Sequence, residues 1–368
     1  MSEGGVGIDP AIREKVRSVG GELDSSRRSG SFLQIDQRTQ LVSTFRKDVE
    51  VLSIQDALEK YDWMEDYYWR AVPADKDEYT CEVNCPEVNG YFIRAPKGAK
   101  VKIPVEACLY LYTERLKQKV HNVIIAEEGS ELNIISGCTS HPGVASGMHL
   151  GVSEFYIKKG AKLSFTMVHS WESDIEVRPR SVAIVEEGGV FMSNYILMNP
   201  VKLVQMYPTA YLRGRGARAI FSSVVVALKG SKADIGSRAV LQAEGTSAEI
   251  VSRTISSGGE VVARGHLLAE SPKVKGHLEC MGLMLSEEGR IDAIPELESA
   301  YSDVELSHEA AIGKIAEEEI FYLMTRGLSR DEATAAIIRG FMDVGIKGLP
   351  PQLQREIDKA VEMVGGGM

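Results

Sequence analysis

Cys280, His308 and Glu309 place a thiol, an imidazole and a carboxylate near the end of a glycine-punctuated array. These groups bind soft and borderline metals. Cys280 precedes Glu309 by 29 residues, about the period of the array around them. Residues far apart in the chain are therefore expected one rung apart in space, where they would form a metal-sulfur site.

The array that must position them repeats itself through the middle of the chain. Short apolar, β-branched segments end in a charged or small residue before glycine, at Gly129, Gly160, Gly188, Gly216, Gly230, Gly245, Gly259 and Gly289. A unit of about 29 residues divides into halves of 14 or 15. The segments after the turns alternate, as in Ser130-Glu-Leu-Asn-Ile-Ile and Ala161-Lys-Leu-Ser-Phe-Thr, so one set of side chains faces in and the other out. Such a unit cannot bury its face alone, and stacking units makes a solenoid. The expected fold is mainly β, a parallel β-helix flanked by α-helical regions. A jelly roll or other sandwich is the alternative, but its hairpins usually recur every 8 to 12 residues or so.

Both ends read as helical. Asp9 before Pro10 looks like an N-cap with proline at the first helical position, and Ser53 to Arg70 carries leucine and aromatic residues at helical spacing. Toward the C-terminus, Gly327 closes a short helix beginning near Ala316, its acidic start Glu317 to Glu319 complementing the helix dipole. Ser329-Arg-Asp-Glu332 then forms a capping box for a helix with Ala333, Ala336, Ile337, Gly340, Phe341 and Val344 on one face. A third helix is expected from Pro350 or Pro351, with Leu353, Ile357, Ala360, Val361 and Val364 in its pattern. The expected division is an N-terminal mainly helical region 1–85, a β-helix core 86–306 and a C-terminal helical region 307–368.

Composition excludes several classes. The net charge is −10, from 42 Lys and Arg against 52 Asp and Glu, with no long basic run, so a phosphate backbone is repelled and nucleic-acid binding is disfavoured. No apolar run approaches the roughly 20 residues of a membrane span, and the start MSEGGVGIDP lacks signal-peptide character. A soluble cytoplasmic protein is expected. The five cysteines, Cys81, Cys85, Cys108, Cys138 and Cys280, are spread thinly and odd in number, which argues for reduced thiols. Cys81 and Cys85 make half a metal knuckle with no second pair, so no structural zinc site is expected. His141, His149, His266 and His277 read as structural or solvated.

The segment from Val304 through His308-Glu309-Ala-Ala-Ile-Gly313, then Glu318 to Ala333 and Arg339-Gly-Phe341, resembles the C-terminal signature of the SufB/SufD family. Upstream, Ser136-Gly-Cys138-Thr, Val168-His-Ser-Trp171 and Met206-Tyr-Pro208 extend the resemblance, which covers about residues 100 to 368. His308 followed by Glu309 is similar to SufB more than to SufD. The family supplies scaffold subunits of the SUF iron-sulfur cluster assembly system. The resemblance implies that Cys280 and Glu309 take part in building the nascent cluster, with His308 as a further ligand. It implies that Cys138 accepts sulfur, and that His169 and Trp171 lie on the sulfur path, with His169 standing where bacterial SufB has glutamine. It further implies a SufC-type ABC ATPase as partner, and the amphipathic C-terminal helix, with Ile337, Phe341 and Val344 on one face, is expected to dock it. A sulfur donor and apo iron-sulfur proteins complete the expected partners. The chain resembles a shorter, minimal, archaeal-type version that works without a separate SufD.

The ligand chemistry agrees with this reading. A store would use four thiolates, whereas a scaffold must release its cluster, which suits few thiolates mixed with nitrogen and oxygen donors. One protomer supplies about three such ligands, so a homodimer is expected. The chain has no Gly-x4-Gly-Lys-Ser/Thr loop, so ATP is expected to act only through the partner, with a transient iron-sulfur cluster as the cargo and no catalysis by this chain. Two other readings compete. An isolated buried cysteine is ordinarily a small hydrophobe, as in a purely structural interaction solenoid. A β-helix carbohydrate-active enzyme would need acidic and basic residues clustered in an external groove.

Overall fold

In the computed structural model, which describes residues 9–21, 27–344, 355 and 358, the chain winds between two sheets. Each turn contributes one strand to each sheet, and successive turns pair in parallel. The first sheet stacks Lys100–Leu111, Glu131–Ser140, Lys162–Ser170, Val190–Leu197, Arg218–Leu228, Ser247–Ser257, Val274–Met284 and Val304–Gly313. The second stacks Tyr91–Ala95, Lys117–Ala126, Gly147–Ile157 and their successors to Arg290–Ser299. Pairing such as Glu131 with Lys162 and Lys162 with Val190 sets the repeat. This is the expected parallel β-helix; a jelly roll would pair its strands antiparallel. In the second sheet, two rungs are each split, Ile175–Val177 from Arg180–Val185 and Leu203–Met206 from Thr209–Leu212, at Pro179 and Pro208, because proline has no N–H to give the ladder.

The half-unit of 14 or 15 residues is the alternation of corners. Gly129, Gly160, Gly188, Gly216 and Gly245 occupy one column of turns, all with φ between 62° and 73°, where a side chain would be strained. Each such N–H donates to a carbonyl of the next turn, as Gly160 does to Glu187 at 2.8 Å, so the corners stack as well as the strands. Inside, alternate residues of both sheets form one continuous core running from Phe32 to Ile291 and including Leu109, Phe155, Phe191, Leu241 and Leu278.

Helix α1 (Pro10–Ser18) starts as expected, Asp9 accepting from the Ala11 N–H at 2.8 Å. It covers the outer face of the first sheet, burying Ile12, Val16 and Val19 against Cys108 and Tyr110. Beyond it the expectation of a mainly helical N-terminal region changes. Gly30–Ile35 adds a parallel strand to the first sheet, Arg38–Thr44 pairs with it antiparallel, and Glu50–Ser53 closes the second sheet. These segments supply the backbone partners that the first full turn would otherwise lack. The helical pattern from Ser53 to Arg70 resolves into α2 (Ile54–Lys60), capped by Ser53, and a 3-10 turn Asp62–Asp66. A short α3 (Glu78–Val83) follows.

At the other end the last strand, Val304–Gly313, runs across the expected 306/307 boundary. Then come α4 (Glu317–Met324) and α5 (Arg330–Met342), the latter with both capping-box bonds between Ser329 and Glu332. Helix α5 lies on the outer face of the first sheet, but with a rotated face. Ala333, Thr334, Ile338 and Met342 are buried, while Ala336 and Gly340 are exposed. The third helix expected from Pro350 or Pro351 lies outside the described residues, apart from two isolated positions. Among the described residues no helix is long and apolar enough to cross a membrane.

Candidate functional site

Strand register decides how the three opening residues meet. Leu278 pairs with His308, Glu279 with Glu309 and Cys280 with Ala310. Cys280 belongs to the solenoid core and is 2% exposed, and Val304 and Leu306 pack against that same core. Alternation therefore puts His308 on the inner face with Cys280, one diagonal step away, and Glu309 on the outer face. His308 is nevertheless exposed, because no further turn covers this end. Glu309 sits instead beside Glu279, whose carboxylate pairs with Arg253 at 2.5 Å; the Arg253 guanidinium lies 5.7 Å from the centre of the Phe341 ring on α5. Among the described residues no three or more His, Cys, Asp and Glu side chains are placed to hold a metal, so one protomer does not assemble the three ligands. Burial pushes the Cys280 thiol up to about 11, Glu279 adding and Arg253 opposing. At neutral pH it is a thiol, and a metal must displace its proton.

Five rungs back, Cys138 lies in a closed polar chamber. Its register partner is His169, and Trp171 follows two residues later on the same face. His169 Nδ1 is 3.1 Å from the Tyr195 hydroxyl. From the opposite sheet comes His149, its ring 6.3 Å from that of His169 and 5.2 Å from Trp171. Gln118 assigns the His149 tautomer. Its amide nitrogen donates to the Asp36 and Tyr110 carbonyls, so its oxygen accepts from His149 Nδ1 at 2.8 Å, leaving Nε2 with a lone pair. Burial lowers His149 to about 4 and His169 well below its usual value, His149 reinforcing the latter. Both imidazoles are neutral at physiological pH. Burial raises the Cys138 thiol to about 12, Ser136 opposing. Among the described residues His169 Nε2 has no hydrogen-bond partner; in the tautomer whose Nδ1–H donates to Tyr195 it is a free base beside a thiol that must lose a proton to react.

The two cysteines share one face of one sheet. Tyr195 pairs in register with Ser223, Ser223 with Ser252, and Ser252 with Cys280. The two serine hydroxyls are 3.1 Å apart. Cys138, His169, Tyr195, Ser223, Ser252 and Cys280 thus form a polar line through a largely apolar interior that also buries Asn122, Ser136, Ser153 and Thr254. Five strand spacings separate its ends, or about 24 Å at about 4.8 Å each.

Sequence reasoning set His149 aside as structural and did not single out Gln118, Tyr195, Ser223 or Ser252. Their signal is polar residues at inward positions, recurring at rung spacing. The remaining candidates lie elsewhere. Ile337, Phe341 and Val344 are half-buried against this chain's own outer-face cluster, whereas Phe321 (67% exposed) and Tyr322 (57%) on α4 are open. Cys81 is exposed, Cys85 lies 3.7 Å from Lys119 Nζ, and Cys108 is buried beneath α1.

Comparison with known proteins bears on this arrangement. Residues 110–341 match the family described as "SUF system FeS cluster assembly, SufBD core domain". A protein of Archaeoglobus fulgidus named "Iron-sulfur cluster assembly SufBD family protein" is 64% identical over 360 residues, covering 98% of this chain and 96% of the relative. One of the same name from Methanothermobacter thermautotrophicus is 45% identical over 366 residues, covering 98% and 89%. A Pyrococcus horikoshii relative is 33% identical over 365 residues, covering 98% and 80%. With the parallel solenoid and the family match spanning Cys138, Cys280 and the His308-Glu309 strand, the chain belongs to the SufBD family.

Proposed function

We propose that this chain is a scaffold on which iron-sulfur clusters are assembled, working with a SufC-type ATPase. Cys138 accepts sulfur and Cys280 receives it at the open end. The observation that carries this reading is the polar line joining them, because polar groups turned into a largely apolar core cost stability where they are left unpaired, as His169 Nε2 is among the described residues.

Acceptance follows from the chamber's chemistry. His169 takes the Cys138 proton through Nε2, and the thiolate attacks the sulfane sulfur of a persulfide R–S–SH. The S–S bond of that persulfide breaks, Cys138 becomes Cys–S–SH, and R–S⁻ recovers the proton as R–SH. Direct exchange cannot span about 24 Å, so sulfur travels on as hydrosulfide, released when two reducing thiols become a disulfide. The Tyr195, Ser223 and Ser252 hydroxyls offer hydrogen bonds along the way.

Assembly itself is proposed at the last turn. Strand Val304–Gly313 has one partner among the described residues, and its free edge invites a second copy of the chain. A two-fold pairing there would bring together two sets of Cys280, His308 and Glu309, which one protomer keeps on opposite faces. The ATPase docks on the α4–α5 unit, with Phe321 and Tyr322 as open anchors and Ile337, Phe341 and Val344 at the margin against the solenoid. Movement of α5 would reach the site through Phe341, Arg253 and Glu279.

The test compares sulfur sources. Cys138→Ser should abolish cluster formation fed by persulfide and leave formation from free sulfide intact. Persulfide-fed assembly at the wild-type rate in Cys138→Ser would remove Cys138 from the route.

A further inference from the structure

A cavity of about 610 Å³ opens between α1 and the turn that follows strand Lys162–Ser170. Glu14, Lys15, Arg17 and Ser18 of α1 form one wall, and Trp171 and Glu172 lie opposite. Lys15 Nζ bonds Glu172 across the gap at 3.1 Å, strapping helix to turn. The turn is also tied to the Cys138 strand, with Thr139 donating to the Ser170 carbonyl at 2.6 Å and the Glu172 N–H to Ser140 Oγ at 3.1 Å. Trp171 faces both ways. It lines the cavity, yet it is 2% exposed and belongs to the interior cluster that holds Cys138. Its ring is 5.5 Å from that of His169. Among the described residues its buried indole N–H has no acceptor. One indole is therefore the partition between an open cavity and the closed chamber, and it presents an unused donor.

We propose that this cavity binds a small-molecule persulfide and that Trp171 is the movable wall through which its sulfane sulfur reaches Cys138. This rests on the reading of Cys138 as sulfur acceptor. The volume falls within the roughly 300–1,000 Å³ of small-molecule sites. With Lys15 engaged by Glu172, Arg17 and Arg355 on the cavity lining supply positive charge for the carboxylate of an amino-acid or peptide thiol, and the indole N–H can meet the sulfur. The transfer is the exchange already written, with the cavity holding R–S–SH before it and R–SH after it. Helix α1 itself stays seated, because Val19 packs over Gly137, where any side chain would collide with it.

Alkylation of the full-length protein with iodoacetamide, read cysteine by cysteine from peptide masses, tests the route without relying on sulfur chemistry. Cys108, buried under α1 but away from the cavity, is the internal control. Trp171→Ala should speed labelling of Cys138 by about tenfold, since exposure governs thiol reactivity, and leave Cys108 unchanged. Ala11→Phe and Ser18→Phe fill the cavity from the helix side with the core intact, and should slow Cys138 labelling. They should equally reduce the sulfur mass that cysteine persulfide adds to Cys138. Uniform Cys138 labelling across the variants, or Cys108 rising in step with Cys138, overturns the cavity route. Labelling that follows the variants, with no sulfur added to wild-type Cys138, overturns the acceptor reading instead.

Discussion

Cys138 and Cys280 are the same residue on the same inner face of one sheet, and their surroundings differ with distance from the solenoid's end. Cys138 has rungs above and below it and is enclosed by neutral imidazoles, an indole and a phenol. Cys280 has a complete rung on one side and, on the other, a last rung whose inner-facing His308 is exposed. Both thiols are raised by burial, so neither is reactive as it stands. The enclosed one must be reached by a small species, whereas the terminal one can be completed by another protein surface. A solenoid thus offers two kinds of site from one repeat, according to distance from its end.

The largest effect that could break this contrast is at the open end. Cys280→Ser should remove most of the charge-transfer absorbance of protein reconstituted anaerobically with iron and sulfide. Glu309→Gln should do the same only if a second copy brings the outer-face carboxylate to the thiol, and the double variant should then be little worse than either. Normal absorbance in Glu309→Gln would make Glu309 an outer-face charge and leave His308 as the terminal partner of Cys280.

Partner binding is next. Phe321→Ser with Tyr322→Ser changes only exposed side chains, so the fold should hold while co-purification with the ATPase is lost. Deleting residues 316–368 would instead strip α4 and α5 from Ile255 and Leu283, which they cover. Retained binding by the double variant would move the docking surface elsewhere.

The enclosed site is sharpened by pH. His149 is held neutral in the fold to about 4 and protonates near 6.5 when unfolded, and His169 shifts in the same direction. As pH falls through that window the unfolded chain binds protons that the folded chain refuses, so the stability His149 contributes above about 6.5 is lost toward about 4, and His169 acts in the same direction. Thermal unfolding should show this decline, and His149→Gln should flatten it. Parallel curves would mean that the imidazole is not shielded.

The smallest effect belongs to the line between the sites. Ser252→Val should slow persulfide-fed assembly by about threefold, roughly the worth of one hydrogen bond, without changing sulfide-fed assembly. Equal slowing of both would assign Ser252 to packing.

Much of this molecule is legible in its residues because the information is local. Glycine before each corner reports a positive φ, alternation reports a strand, and Ser329 with Glu332 reports a helix start. His308 and Glu309 were expected in the C-terminal helical region, and only the strand Val304–Gly313 shows that these adjacent residues face opposite ways. Harder to read was the N-terminal segment. Strands Gly30–Ile35 and Arg38–Thr44 are short and flanked by helices, and only the exposed first turn of the solenoid gives them a partner. The rotated face of α5 has the same origin, since contact with Leu283 and its neighbours, rather than the helix's own pattern, chose Ile338 and Met342 as the buried pair.

By itself the sequence determined the period, the handover between corners and the residue types at each rung, because these depend on backbone preferences within a few residues. Tertiary structure alone decided that His149 from the second sheet meets His169 and Trp171 from the first, that Tyr195, Ser223 and Ser252 align between two cysteines, and that α1 leaves a cavity against Trp171. Those meetings depend on how the two sheets are offset and where the helices settle, which summed packing across the whole solenoid sets and no local pattern encodes.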